Sequence, residues 1–130
     1  MTTNYRDVPE LQKYIDLVEN EGKNGVKKCC KWQKKLIKFV KKCFENENLT
    51  IDTEQLKKYM GLQKYFDFEL FEWEQFVFTL HCCVFREDGL PRFPDLLIFV
   101  ARGAGKNGYL AFEDFAMISP YSNLQQYDVD

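Results

Sequence analysis

The sequence predicts a mainly α-helical protein with a small α/β part toward its C-terminal end. Three observations lead there. Over the first two thirds, apolar residues recur at three- and four-residue steps, the repeat of an amphipathic helix. Leu96 to Val100 is a continuous apolar run of strand length, as in a strand covered on both faces of a parallel sheet. A glycine-rich turn and a further helical pattern follow it directly.

Pro9 suits a first helical turn, where its missing N–H costs no bond. Leu11, Tyr14, Ile15 and Val18 follow at helical spacing until Gly22 and Gly25 interrupt. A longer helix is expected from Val26 to Phe44, with Cys29, Trp32, Leu36, Val40 and Cys43 on one stripe and Lys27, Lys31, Lys34, Lys38 and Lys41 on another face. Asn46-Glu47-Asn48 ends it. Asp52, with Gln55 three residues on, has the form of a capping box opening a helix that carries Leu56, Tyr59 and Met60. Gly61 is expected at a bend. Leu70 to Phe85 lacks Gly and Pro and is too long for an ordinary strand, so it is expected to be a largely buried helix. Arg86 to Pro91 reads as a turn with room for a β-hairpin. Tyr109, Leu110, Phe112, Phe115 and Ala116 give a last helix that ends by Pro120.

The chain has 130 residues, of which 45% are hydrophobic and 16% aromatic, enough to bury a core in one compact unit. Its net charge of −2 offers no long-range attraction to nucleic acid or an anionic membrane. No run approaches the roughly 18 apolar residues of a bilayer span, and Met1 to Tyr5 lacks the basic-then-apolar plan of a signal peptide. A soluble, cytoplasmic protein without a membrane partner is expected. The five cysteines, Cys29, Cys30, Cys43, Cys82 and Cys83, lack C-x-x-C spacing and are expected as reduced thiols facing a core. His81, inside an apolar run, is expected in the core or at its boundary.

The chemistry concentrates in Arg102-Gly103-Ala104-Gly105-Lys106-Asn107-Gly108. A phosphate loop works because successive backbone N–H groups converge on oxyanions, helped by the positive end of the following helix. Gly103 and Gly105 allow that approach, Lys106 brings an ammonium to the outer phosphates, and Arg102 adds a second cation able to neutralise phosphate charge. The order strand, glycine loop, helix is the one such a loop needs. The match to G-x-x-x-x-G-K-[ST] is partial: Val100 holds the first glycine position, and Asn107 replaces the hydroxyl residue that normally holds Mg²⁺. An amide oxygen can also ligate magnesium.

From Phe68 to Tyr121 the sequence resembles the start of a tailed-phage terminase large subunit. Leu70, Trp73 and Phe76 stand where that family has an aromatic-rich adenine motif, and Arg102 to Lys106 resemble its Walker A loop. The resemblance implies a helical N-terminal subdomain over 1–67 and the beginning of a P-loop ATPase domain over 68–130. The fold is then a helical lead-in followed by the first strand, P-loop and helix of a truncated P-loop NTPase core. It also implies ATP and Mg²⁺ as cofactors, with Lys106 and Arg102 as catalytic groups. Residues 102–108 would hold the phosphates, Asn107 the metal, and Trp73 and Gln75 the base. Trp73 reads equally as a core aromatic. Glu72 and Glu74 depart from the family, which often has proline and glutamine there.

The resemblance further implies a DNA-packaging motor of a phage or prophage, with phage DNA, portal and small terminase subunit as partners in a bacterial host cell. The family's Walker B acids, catalytic glutamate and nuclease carboxylates have no counterpart before Asp130. The chain is therefore expected to be the N-terminal part of a longer enzyme and not to hydrolyse ATP alone. Lys23 to Lys42 contains nine lysines and no acid, which supports a different reading: a non-catalytic helical interaction module whose lysine face binds DNA or a protein. The same face also fits a merely solvated helix surface.

Overall fold

The computed structural model describes residues 2–23, 29, 31–66, 68–94, 112, 113 and 116. Among these the protein is mostly helical, with one small antiparallel pair of strands. The expected strand at 95–100 and the glycine loop at 102–108 lie outside the described residues. No helix among them is long and apolar enough to cross a membrane.

Asn4 accepts a hydrogen bond from the Arg6 N–H and starts a single 3-10 turn, Tyr5–Asp7. Helix α1, Pro9–Glu19, follows with Pro9 in its first turn and buries Leu11, Tyr14, Ile15 and Val18. These are the four residues its spacing selects. The Asn20 side chain returns to the Asp16 carbonyl at 2.8 Å. Gly22, at φ 72°, then turns the chain through a conformation that costs other residues more.

Helix α2, Lys31–Asn46, begins later than the lysine and apolar periodicity suggests. Cys29 precedes it outside the helix, donating its N–H to Glu21. Ile37, Val40 and Cys43 face the core. Trp32 and Leu36, expected on the buried stripe, are instead 66% and 37% exposed. Their spacing is helical, but α2 carries apolar side chains over a wide arc, and packing against α1 selects only one edge of it. Lys34 pairs with Glu21 and Lys41 with Glu19, which pins α2 to the end of α1.

Strand β1, Thr50–Ile51, pairs antiparallel with β2, Val84–Phe85, in the register Thr50↔Phe85 and Ile51↔Val84. Thr2 bridges Ile51 from its other side at 3.0 and 2.7 Å. The turn after β2 closes with Arg86 N–H on the Leu90 carbonyl at 2.8 Å and Gly89 at φ 81°. A bridge from Phe85 to Pro91 completes the short hairpin. Arg92, just beyond, forks onto Glu47 at 2.7 and 3.0 Å and ties this hairpin to the end of α2.

Helix α3, Thr53–Gly61, opens as a capped helix, with the Asp52 carboxylate accepting from Gln55 N–H at 3.1 Å. Gly61 keeps right-handed helical torsions rather than bending the chain. The helix tightens into a 3-10 turn, Leu62–Tyr65, and the direction changes at the extended Phe66. Helix α4, Glu72–Cys83, fills most of the expected Leu70 to Phe85 stretch, whose last two residues form β2.

The core runs from Tyr5 to Ala116 and centres on α4. Phe76 and Phe78 are fully buried there. Tyr14 of α1 meets Phe76 at 5.0 Å, Tyr59 of α3 meets Phe78 edge-on at 5.3 Å, and Phe112 meets Phe78 at 5.3 Å. Each such pair adds about 0.5–1.5 kcal/mol beyond the area it buries. Phe78→Ala is expected to cost about 3–5 kcal/mol, whereas Phe39→Ala, at a half-exposed ring, should cost well under half of that. Urea denaturation of both variants checks this, and a Phe78→Ala midpoint equal to that of the parent would contradict it.

Candidate functional site

Arg102, Gly103, Ala104, Gly105, Lys106, Asn107 and Gly108 lie outside the described residues. The residues that flank them are placed. On the near side, the Phe93 carbonyl lies 2.9 Å from His81 Nδ1. On the far side, Phe112, Glu113 and Ala116 are helical, with Phe112 and Ala116 fully buried. Phe112 packs on Phe78 of α4 and, at 5.6 Å, on Phe66. Glu113 Oε1 lies 3.4 Å from His81 Nε2 and accepts from the Cys82 thiol at 3.5 Å. One turn of α4 therefore holds both flanks of the glycine segment.

A carbonyl only accepts, so His81 donates from Nδ1 to Phe93, which directs Nε2 at the Glu113 carboxylate. His81 thus sits at the boundary of the core, as its apolar neighbours suggest. Its bridging role was not visible, because its partners are 12 and 32 residues downstream. Burial, with help from Glu113, pushes the Cys82 thiol well above its usual range, and burial does the same to Cys83. Both are held as neutral thiols, which suits packing and disfavours nucleophilic or metal-binding chemistry. Among the described residues no three His, Cys, Asp or Glu side chains gather to hold a metal.

Gln75 and Trp73 are not brought together. Two residues apart on α4, they project about 200° apart around its axis. Trp73 is half-buried and packs against the core. Gln75 lines an open groove of about 600 Å³ together with Lys13, Gln63, Lys64, Phe66 and Phe68. The Phe66 and Phe68 rings stand 5.4 Å apart on its wall. Gln75 Nε2 donates to the Leu70 carbonyl at 2.8 Å, fixing the amide; that bond leaves its carbonyl oxygen and second N–H available. Aromatic rings beside an oriented amide fit a flat heterocycle such as a nucleotide base.

Glu74, by contrast, is buried and accepts from the Phe71 N–H at 2.7 Å. Phe71, the residue before α4, has no side-chain acceptor, so Glu74 supplies the half of a capping box that reaches back to the helix start. Its side chain is committed to that cap and not to a ligand. Desolvation holds its carboxyl above the ordinary carboxylate value, against the lowering effect of the Phe71 N–H.

No family model, curated protein or solved structure matches the chain.

Two outcomes follow from this geometry. The raised Glu74 carboxyl means that the native state holds that proton more tightly, so its contribution to stability declines as pH rises through the raised value. Glu74→Gln keeps the acceptor without the buried charge. It should melt a few degrees above the parent at pH 7, with the gain vanishing below the ordinary carboxylate range; a lower melting temperature at pH 7 would contradict this. His81→Ala should speed hydrogen exchange at the Phe112, Glu113 and Ala116 amides while leaving α1 unchanged, and equal protection in both proteins would refute the bridge.

Proposed function

We propose that the chain is the leading part of a tailed-phage terminase large subunit and that it binds ATP. The sequence motif at Arg102 to Gly108 supplies the chemistry. Lys106 and Arg102 face the phosphates, Gly103, Ala104, Gly105 and Gly108 bring backbone N–H groups to them, and Asn107 stands nearest the Mg²⁺. The observation that carries the reading is that both flanks of this segment are fastened to α4, at Phe93 through His81 and at Phe112 and Glu113 through Phe78, His81 and Cys82. A phosphate loop depends on such anchoring, because its N–H groups must converge before the ligand arrives.

The groove lined by Gln75, Phe66 and Phe68 supports a place for the base, and Phe66 joins it to the helix that follows the loop. Gln75 is the better base contact of the two suggested by the sequence, and Trp73 serves the core. In the whole protein this reading makes the chain part of an ATP-driven motor acting on phage DNA with the portal and small terminase subunit.

Calorimetric titration of ATP·Mg into the chain and into Lys106→Ala tests the reading. Binding should be saturable and at least about tenfold weaker in the variant, since one charge-assisted contact is worth about 1.5–3 kcal/mol. Equal or negligible heats from both proteins would overturn it.

A further inference from the structure

We propose that the outer face of α2 docks an amphipathic helix with acidic flanks, supplied by a protein partner. The surface has two parallel stripes. Trp32, Leu36 and Phe39 form an apolar ridge that is 66%, 37% and 51% exposed. These three side chains fall within about 60° of the helix circumference and climb two turns. Beside them Lys31, Lys35, Lys38 and Lys42, all exposed, fall within another arc of about 60°. Lys31 and Lys35 lie over the Trp32 ring at 5.2 and 4.8 Å, so the two stripes adjoin.

The structure sorts the lysines of this helix into two groups. Lys34 and Lys41 are neutralised by Glu21 and Glu19. Lys31, Lys35, Lys38 and Lys42 have no acidic partner among the described residues, and α2 carries no acid before Glu45. Four like charges at i, i+4, i+7 and i+11 repel one another. An occupant bearing carboxylates relieves that repulsion.

The ridge sets the shape of the occupant. Trp32, Leu36 and Phe39 follow the 4-3 spacing of a coiled-coil seam, with Lys35 and Lys42 at the flanking positions where interhelical ion pairs form. A partner helix with apolar residues at the same spacing and Glu or Asp at its flanks complements both stripes. A second copy of this chain would set lysine against lysine. A nucleic acid would leave Leu36 and Phe39 without apolar cover, and α2 offers no arginine for it. A lipid surface would meet only three apolar side chains, because Ile37, Val40 and Cys43 already face the core. The proposal is independent of the nucleotide reading.

Fluorescence anisotropy with labelled three-heptad peptides tests it on the full chain. One peptide carries Leu at its seam and Glu at the flanking positions, and its counterpart carries Lys there. The chain should bind the Glu peptide at least about tenfold more tightly than the Lys peptide, with affinity falling as salt rises. The double variant Lys35→Glu, Lys42→Glu should reverse that preference, and Trp32→Ala should weaken binding about tenfold or more. Equal binding of both peptides, no binding of either, or a preference unmoved by charge reversal would overturn the proposal. So would binding of duplex DNA or anionic vesicles that is tighter than peptide binding and depends on these same residues.

Discussion

Phe76 and Phe78 lie fully buried on α4, and α1, α3 and Phe112 each meet one ring or the other. Tyr14 brings α1 onto Phe76, while Tyr59 brings α3 and Phe112 brings the residues beyond the glycine segment onto Phe78. Two residues apart, these rings leave α4 on nearly opposite sides, which explains why α4 is apolar almost all round. A helix placed this way needs its polar ends satisfied internally. Glu74 does so at the start, and the handover into β2 does so at the end, where Asp52 N–H takes the Cys83 carbonyl at 2.8 Å. The same Asp52 caps α3, so one residue joins two helices and the strand pair.

This arrangement bears directly on function. A helix that is the centre of the core moves least, and its few polar side chains become fixed points for whatever borders them. His81 and Cys82 hold the flanks of the glycine segment, and Gln75 is held by the Leu70 carbonyl at the rim of an aromatic groove. Gln75, His81 and Cys82 thus place the polar groups of α4 at that groove and at Phe93 and Glu113. Under the proposed nucleotide reading, such anchoring on both sides of the glycine-rich segment suits a ligand gripped by backbone rather than by long side chains.

Local rules wrote much of this fold visibly into the sequence. The four buried residues of α1, the Asp52 cap and the turn at Gly89 each depend on neighbours a few positions away, and the sequence places all of them. The failures share one cause, which is dependence on distant partners. Trp32 and Leu36 have the spacing of core residues, yet only contact with α1 decides which edge of α2 is buried. Strands β1 and β2 are two residues each and exist through pairing across more than thirty positions. Gly61 stays helical because nothing nearby demands a left-handed conformation. At the candidate site, the anchoring by His81 is not legible, since no local pattern links residue 81 to residues 93 and 113; the motif from Arg102 to Gly108 lies outside the described residues. Gln75 and Glu74 are neighbours in sequence but about 100° apart around α4, and the structure sends one to the groove and the other into the core.

Under the proposed nucleotide reading, the groove at Gln75 and the segment whose flanks α4 holds form one site. Hydrogen exchange of the full chain with and without ATP·Mg, read by peptide, addresses it most directly. The account predicts added protection in two stretches at once, 63–75 and 95–111, with α2 unaffected. Protection confined to one stretch would break the link between groove and loop, and an unchanged pattern throughout at saturating nucleotide would contradict the claim altogether.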